Sequence, residues 1–226
     1  MPETSRAIAI FDLDYTLTKR GTWGRFVWQW VRFRPHVWLP LLISAGWVQW
    51  CYKRGTRPRV DVKRAMMRWA MKGAPKDKVI LKGQQFAKRE IEAGLRLGAL
   101  DAVQAHKSNG DILIMISAAA DVVAKPIGEL LGFDDVIATE MSFDDCNKLT
   151  LNFKTPNCYG VEKTNRYNDL LDKKKDLKQC NTQVTFYSDS YSDLAMFNLA
   201  HVKVAVHPDR KLTQHAVEKG WKIVRW

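Results

Sequence analysis

Ala7-Ile8-Ala9-Ile10-Phe11-Asp12-Leu13-Asp14-Tyr15-Thr16 is the stretch on which the reading of this chain turns. An apolar run of β-forming type ends abruptly in Asp12, and Asp14 and Thr16 follow at alternate positions. Residues 7–11 have the character of a strand buried on both faces of a parallel sheet. In open α/β sheets the carboxyl end of such a strand is where ligands bind. Two carboxylates placed there repel one another unless a cation lies between them, so the pair asks for a divalent metal.

Residues 186–197 repeat the arrangement, with a strand ending in Asp189 and Asp193 one helical turn later. Residues 112–117, Ile-Leu-Ile-Met-Ile-Ser, form a third apolar strand, this one ending in the hydroxyl of Ser117. Three alanines and a helical pattern from Asp121 to Leu131 follow it. Lys163 opens a polar helical stretch between that unit and the Asp189 strand. Each residue has a plainer reading: Asp12 and Asp14 as turn or N-cap residues, Ser117 as a helix cap, Asp193 as a first-turn acid. Acid pair, serine, lysine and acid pair, each at the end of an element, together describe a catalytic site.

The remaining pattern alternates strands and helices. It predicts strands at 7–11, 111–116, 135–139, 183–187, 203–206 and 222–225, with a hairpin near 140–153. Helices are expected near 97–109 and over 121–131, 162–172, 192–199 and 210–219. This is the signature of an α/β fold with a doubly wound parallel sheet. Gly110 and Gly220 mark helix ends. Cys51, Cys146, Cys158 and Cys180 show no paired spacing, which fits reduced thiols in the cytoplasm. Residues 1–6 run straight into the first strand, with no signal peptide pattern. Lys173, Lys174, Lys175 and Lys178 read as a solvated face, and His207 as a loop residue before Pro208.

With these residues in view, the chain resembles the haloacid dehalogenase-like (HAD) phosphatases, in their phosphoserine phosphatase-like branch (subfamily IB). The matching pieces are Asp12-Leu13-Asp14-Tyr15-Thr16, Ser117, Lys163 and Asp189-Ser190-Tyr191-Ser192-Asp193, with further likeness over 132–139 and 205–209. Ala118 and Ala119 stand where the branch often has glycines, and Ser192 where it often has asparagine. These small or polar replacements bear on substrate contacts more than on the reaction.

The resemblance implies a HAD/Rossmann-like core and a role for each residue. Asp12 would attack phosphorus and carry an aspartyl-phosphate, since carboxylates are established phosphoryl nucleophiles. Asp14 would protonate the leaving alkoxide and then accept a proton from water. Mg²⁺ would be held by Asp12, by Asp14 through its backbone carbonyl, and by Asp189. Ser117 and Lys163 would hold the phosphoryl oxygens, with Thr16 bonding within the loop or to phosphate. Asp193, beside Ser192, would orient Lys163 or a metal-bound water.

Residues 19–90 are set apart from the core at 1–18 and 91–226. They carry 18 Lys or Arg against Asp61, Asp77 and Glu90, a balance of +15 in a chain whose net charge is +12. They hold seven of the nine tryptophans, and residues 35–52 bear no formal charge. An insertion after the first strand is where this HAD branch carries a helical cap. Tryptophans with basic flanks point to contact of residues 23–52 with an anionic membrane surface. A plain cap with a basic rim and a spanning helix are the other readings, and Pro35, Pro40, Ser44, Gly46 and Gln49 weaken the last. The uncharged run suits nucleic acid poorly.

The cap is similar to that of HAD-type phosphatidylglycerophosphate phosphatases, an arginine-flanked helix followed by a Pro/Leu-rich run. The expectation is therefore an Mg²⁺-dependent phosphomonoesterase acting on a membrane lipid phosphate, peripheral on the cytoplasmic face of the inner membrane. The same chemistry on a small soluble ester such as phosphoserine or histidinol phosphate is the alternative. A non-catalytic membrane-associated regulator with the HAD fold is the third reading. Oligomeric state is not written in these features.

Overall fold

Every side chain of β1 (Ile8–Phe11) is buried, because helices cover both faces of the sheet it centres. The computed structural model describes residues 6–174, 177 and 183–226; Lys175, Lys178 and Cys180 lie outside them. β1 pairs in parallel with β2 (Ile112–Ala120) on one side and β6 (Val184–Ser188) on the other. With β3 (Asp135–Thr139), β7 (Val202–Val206) and β8 (Lys222–Val224), the order is β3-β2-β1-β6-β7-β8, parallel throughout. The chain winds outward one way from β1 and then returns to wind the other way. The switch point therefore lies between β1 and β6. This is the doubly wound sheet expected from the sequence.

Alternation along β1 divides the core in two. Ala9 and Phe11 face a layer containing α1 (Thr22–Val31), α4 (Lys76–Arg89), α5 (Leu97–Ser108) and α6 (Asp121–Leu131). Ile8 and Ile10 face α7 (Val161–Lys173), α8 (Leu194–Leu199) and α9 (Arg210–Glu218). Between β3 and α7, β4 (Met141–Phe143) and β5 (Leu149–Phe153) form the expected antiparallel hairpin. Gly110 and Gly220 sit at φ 76° and 67°, the left-handed conformation that ends a helix.

Two local expectations need correction. Ser117 does not end its strand: β2 continues through the three alanines to Ala120, and its register with β3 shifts between Ile116 and Ala120. Small side chains let the backbone stay extended past the irregularity, which is where such bulges re-aim a side chain. The expected helix 192–199 is split into a 3₁₀ turn, Tyr191–Asp193, and α8.

Residues after β1 build a helical insertion of α1, α2 (Pro35–Lys53), α3 (Val60–Ala70) and α4. Its two ends meet in a bridge between Thr18 and Leu95, flanked by bonds from Lys19 N to the Gly94 carbonyl (2.8 Å) and from Arg96 N to that of Leu17 (3.0 Å). Phe26 is fully buried in the insertion and meets Phe86 and Trp30 edge to face. Among the described residues no helix is long and apolar enough to cross a membrane, which removes the spanning reading of residues 35–52.

The insertion leans on the core where α4 packs against α6, and Gly83 permits the approach. A Cβ built there would collide with the carbonyl oxygen of Val122. Gly83→Ala must therefore push the helices apart. The expected loss is about 1–3 kcal/mol of stability, read as a lower urea midpoint with little change in slope.

Candidate active site

Asp12 follows directly on β1, and its amide donates to the Tyr187 carbonyl of β6 at 3.0 Å, fixing it at the switch point. The next residues turn irregularly. Tyr15 takes a left-handed φ of 62°, and Thr18 closes the turn with its amide (3.0 Å) and hydroxyl (3.1 Å), both donating to the Leu13 carbonyl. A non-glycine residue held there costs of order 1–3 kcal/mol, which the buried Leu13, Thr16 and Leu17 around it offset. The turn brings Asp14 back beside Asp12. Its Oδ1 accepts from the amide of Thr22 at 2.8 Å, so the carboxylate sits on the positive end of α1.

Lys163 enters from the first turn of α7. Its ammonium lies 3.0 Å from Asp12 Oδ1 and 2.6 Å from Asp193 Oδ2, with the lysine side chain only 2% exposed. Asp193 Oδ2 also accepts from Ser188 Oγ at 2.7 Å. Burial opposes the charge on Lys163, but the flanking carboxylates outweigh it and raise the group above its ordinary value. Burial raises Asp12 to about 6 even against the attraction of Lys163. Asp189 is pushed to about 8 by burial and by the charges of Asp12 and Asp193; Thr16 Oγ1 reaches its Oδ1 at 3.5 Å.

These groups line a cavity of about 180 Å³ together with Ser117 and Ser192. Thr16 is buried behind them through its bond to Asp189. Ser117 Oγ accepts from Ala119 N at 3.1 Å, a bond within the irregular end of β2 rather than a cap on α6. Ser192 Oγ is 2.9 Å from Ser190 Oγ. His207 bonds the Trp226 carbonyl through Nε2 at 2.6 Å. Lys174 pairs with Asp135 at 2.6 Å.

Three further residues escaped the sequence reading. Arg59 lines the cavity from the start of α3, with its guanidinium 4.3 Å from the centre of the Tyr159 ring, itself a lining residue. Lys63, one turn on, donates to Asn157 Oδ1 at 2.6 Å and to the carbonyl of Ala118; burial lowers it to about 8. Both are hidden among the 18 cations of residues 19–90, and their four-residue spacing is the one sequence signal that sets them on a common helix face.

Among the described residues no three acidic, histidine or cysteine side chains cluster as a complete metal cage. The donor set nevertheless fits a hydrated divalent cation. Asp12 and Asp189 face one another, both destabilised as anions, and Asp193 Oδ1 is buried without a hydrogen-bond partner. Mg²⁺ keeps several waters and takes one or two carboxylates, which is what this site offers, with the Asp14 carbonyl as the further expected ligand.

A family model described as haloacid dehalogenase-like hydrolase matches residues 9–198. A histidinol-phosphatase of Neisseria meningitidis is 31% identical over 124 residues, 55% of this chain and 56% of that protein. The chain thus matches about half the length of that relative. A Mycobacterium tuberculosis protein named phosphoserine phosphatase SerB1 is 25% identical over 221 residues, 96% of this chain and 70% of that one. A Bordetella pertussis protein of unknown function has the same fold, with a TM-score of 0.81 at 22% identity, covering 98% of this chain and 99% of its own.

The raised acids set a direction for stability. An acid whose folded value lies above its unfolded one disfavours folding once ionised. The metal-free protein should therefore be most stable below about pH 4 in this respect and lose stability as pH rises through about 6 and 8. Thermal melting in EDTA should show that fall, and Asp189→Asn should reduce it. Added Mg²⁺ should restore the wild type at the alkaline end and leave Asp189→Asn nearly unmoved.

Proposed function

The chain belongs to the haloacid dehalogenase-like hydrolases, and we propose that it hydrolyses a small, water-soluble phosphomonoester. The observation that carries this reading is the placement of Lys163 between Asp12 and Asp193 in a cavity that also collects Asp14, Ser117 and Asp189. A phosphomonoester resists attack chiefly through its own negative charge, so positioning and neutralisation do most of the work.

In this reading Asp12 attacks phosphorus and becomes the aspartyl-phosphate. Lys163 holds a phosphoryl oxygen, and Asp193 keeps the ammonium charged and aimed. Ser117 offers its hydroxyl proton to a second oxygen while its lone pair stays with Ala119 N. Asp14, whose Oδ1 is occupied by Thr22, uses its other oxygen to protonate the leaving alkoxide and later to take a proton from water. Mg²⁺ on Asp12, Asp189 and the Asp14 carbonyl would supply the charge neutralisation that a site rich in carboxylates lacks. Residues 1–18 and 91–226 then form the catalytic body and residues 19–90 a cap over it.

The small ester replaces the lipid phosphate as the favoured substrate. A cavity of about 180 Å³ falls short of the roughly 300–1,000 Å³ that accommodates drug-sized ligands. The relatives' names point to histidinol phosphate and phosphoserine, and the likeness of the cap to phosphatidylglycerophosphate phosphatases gains no support from them. Arg59 adds a cation at the mouth, which favours a leaving group bearing its own carboxylate over a cationic one. Phosphoserine suits that better than histidinol phosphate. A non-catalytic regulator would have no physical need for four carboxylates around one lysine.

A panel of phosphomonoesters assayed with and without Mg²⁺ tests this. Asp12→Asn should abolish phosphate release, and undiminished activity in that variant or in EDTA would sink the assignment. Asp14→Asn should cost ~10²–10⁴-fold on alkyl esters and far less on activated aryl phosphates, whose leaving groups need no proton. Arg59→Gln should raise KM for carboxylate-bearing esters more than for an uncharged aryl phosphate; equal effects would remove Arg59 from leaving-group selection.

A further inference from the structure

α2 carries large apolar side chains on two opposite sides, yet only one side of it is covered. Val37, Leu41, Val48 and Cys51 are buried. Leu39, Leu42, Ile43, Trp47 and Trp50 form a stripe at helical spacing on another side and are 68, 66, 63, 59 and 44% exposed. Phe33, 82% exposed, lies at its start. Trp28 extends the stripe onto α1, with its ring 5.1 Å from that of Trp38. A contiguous apolar patch of this kind marks a surface that something covers.

The surroundings say what. No acidic residue occurs between Asp14 and Asp61, while Arg32, Arg34, Lys53, Arg54 and Arg57 flank α2 in sequence. Beside Trp28 opens a groove of about 310 Å³ lined by Arg25, Arg32 and Arg89. Glu90 occupies Arg25 in an ion pair, which leaves Arg32 and Arg89 exposed at the rim. Lys82 lies close by and is lowered by burial and by the like charges of Lys78, Arg32, Arg89 and Arg34, so this corner carries uncompensated positive charge. A second copy of a chain with net charge +12 would bring equal charge against it.

We propose that the exposed side of α2 and the arginine-lined groove beside it form a docking surface for an anionic phospholipid bilayer. Leu39, Leu42, Ile43 and Trp47 enter the boundary of headgroups and acyl chains, and lipid phosphates lie over Arg32 and Arg89. Interfacial helices combine these two contributions, buried apolar area and attraction of basic residues to anionic lipid. The surface acts on location and leaves the chemistry at Asp12 alone, so it holds whatever ester the cavity takes.

Co-sedimentation with vesicles tests the idea. The wild type should pellet with vesicles rich in phosphatidylglycerol, stay in solution with pure phosphatidylcholine, and be released by raised salt. The exposed-site variant Leu42→Ser/Ile43→Ser/Trp47→Ser should abolish pelleting while hydrolysing a soluble phosphomonoester at the wild-type rate. Arg32→Gln and Arg89→Gln should each weaken partitioning about fivefold, the equivalent of about 1 kcal/mol per basic side chain at the surface. Failure of the wild type to pellet at low ionic strength would overturn the proposal, as would pelleting that survives the triple substitution. A concentration-dependent dimer in ultracentrifugation that the same triple substitution abolishes would assign the surface to a second copy and overturn it too. Loss of all phosphatase activity with pelleting intact would strike the proposed reaction and leave the docking surface standing.

Discussion

A buried ammonium between two buried carboxylates is the constraint on which the rest of this structure depends. Lys163 lies within 3.0 Å of Asp12 and 2.6 Å of Asp193. Taking such ions out of water costs several kcal/mol each, and breaking one partner away from such a pair is strongly destabilising. The triad is therefore weak as a source of stability and strong as a source of geometry. It ties the end of β1 to the start of α7 and to the turn after β6, three elements far apart in the chain. Any arrangement that separated them would leave an uncompensated charge inside the protein.

The strain elsewhere in the site follows from that fixed point. With Asp12 held at the seam of β1 and β6, the chain must reverse at once to bring Asp14 to the same cavity, and the left-handed Tyr15 is the result. Asp14 then serves two ends. Its carboxylate faces the cavity and also receives the first amide of α1, so the helical insertion begins on a residue of the site itself. Lys63 makes the reciprocal link, reaching from α3 to the stretch of β2 just past Ser117. The insertion is bonded to the lining of the cavity at both of its approaches, so a change in its position would be felt at the proposed site.

Two kinds of surface thus coexist in residues 19–90. The side toward the core packs Phe26, Met67 and Phe86 and sets two cations near the cavity, Arg59 lining it and Lys63 bonded to Asn157 and the Ala118 carbonyl. The outer side of α2 is apolar and uncovered, with a basic margin. A small cavity and a large apolar surface need not serve the same molecule. Separating them resolves the conflict between a composition that suggests lipid and a cavity whose size fits the small ester proposed for it.

The sequence by itself determined the core. Alternating strands and helices, an apolar run ending in Asp12, and the order of Ser117, Lys163, Asp189 and Asp193 are local patterns, because strand burial and helix starts depend on near neighbours. The parallel doubly wound sheet and the gathering of these residues at one edge followed from them. Only the tertiary structure decided what long-range packing controls. It sorted the tryptophans, placing Trp23 and Trp30 against the core while leaving Trp47 and Trp50 exposed, although all carry the same local signal. It carried β2 past Ser117 to Ala120, where three alanines alone read equally as helix. It picked Arg59 and Lys63 from 18 similar cations, since which of them lines the cavity or bonds to its walls depends on where α3 is placed, and the four-residue spacing within the insertion does not record that contact.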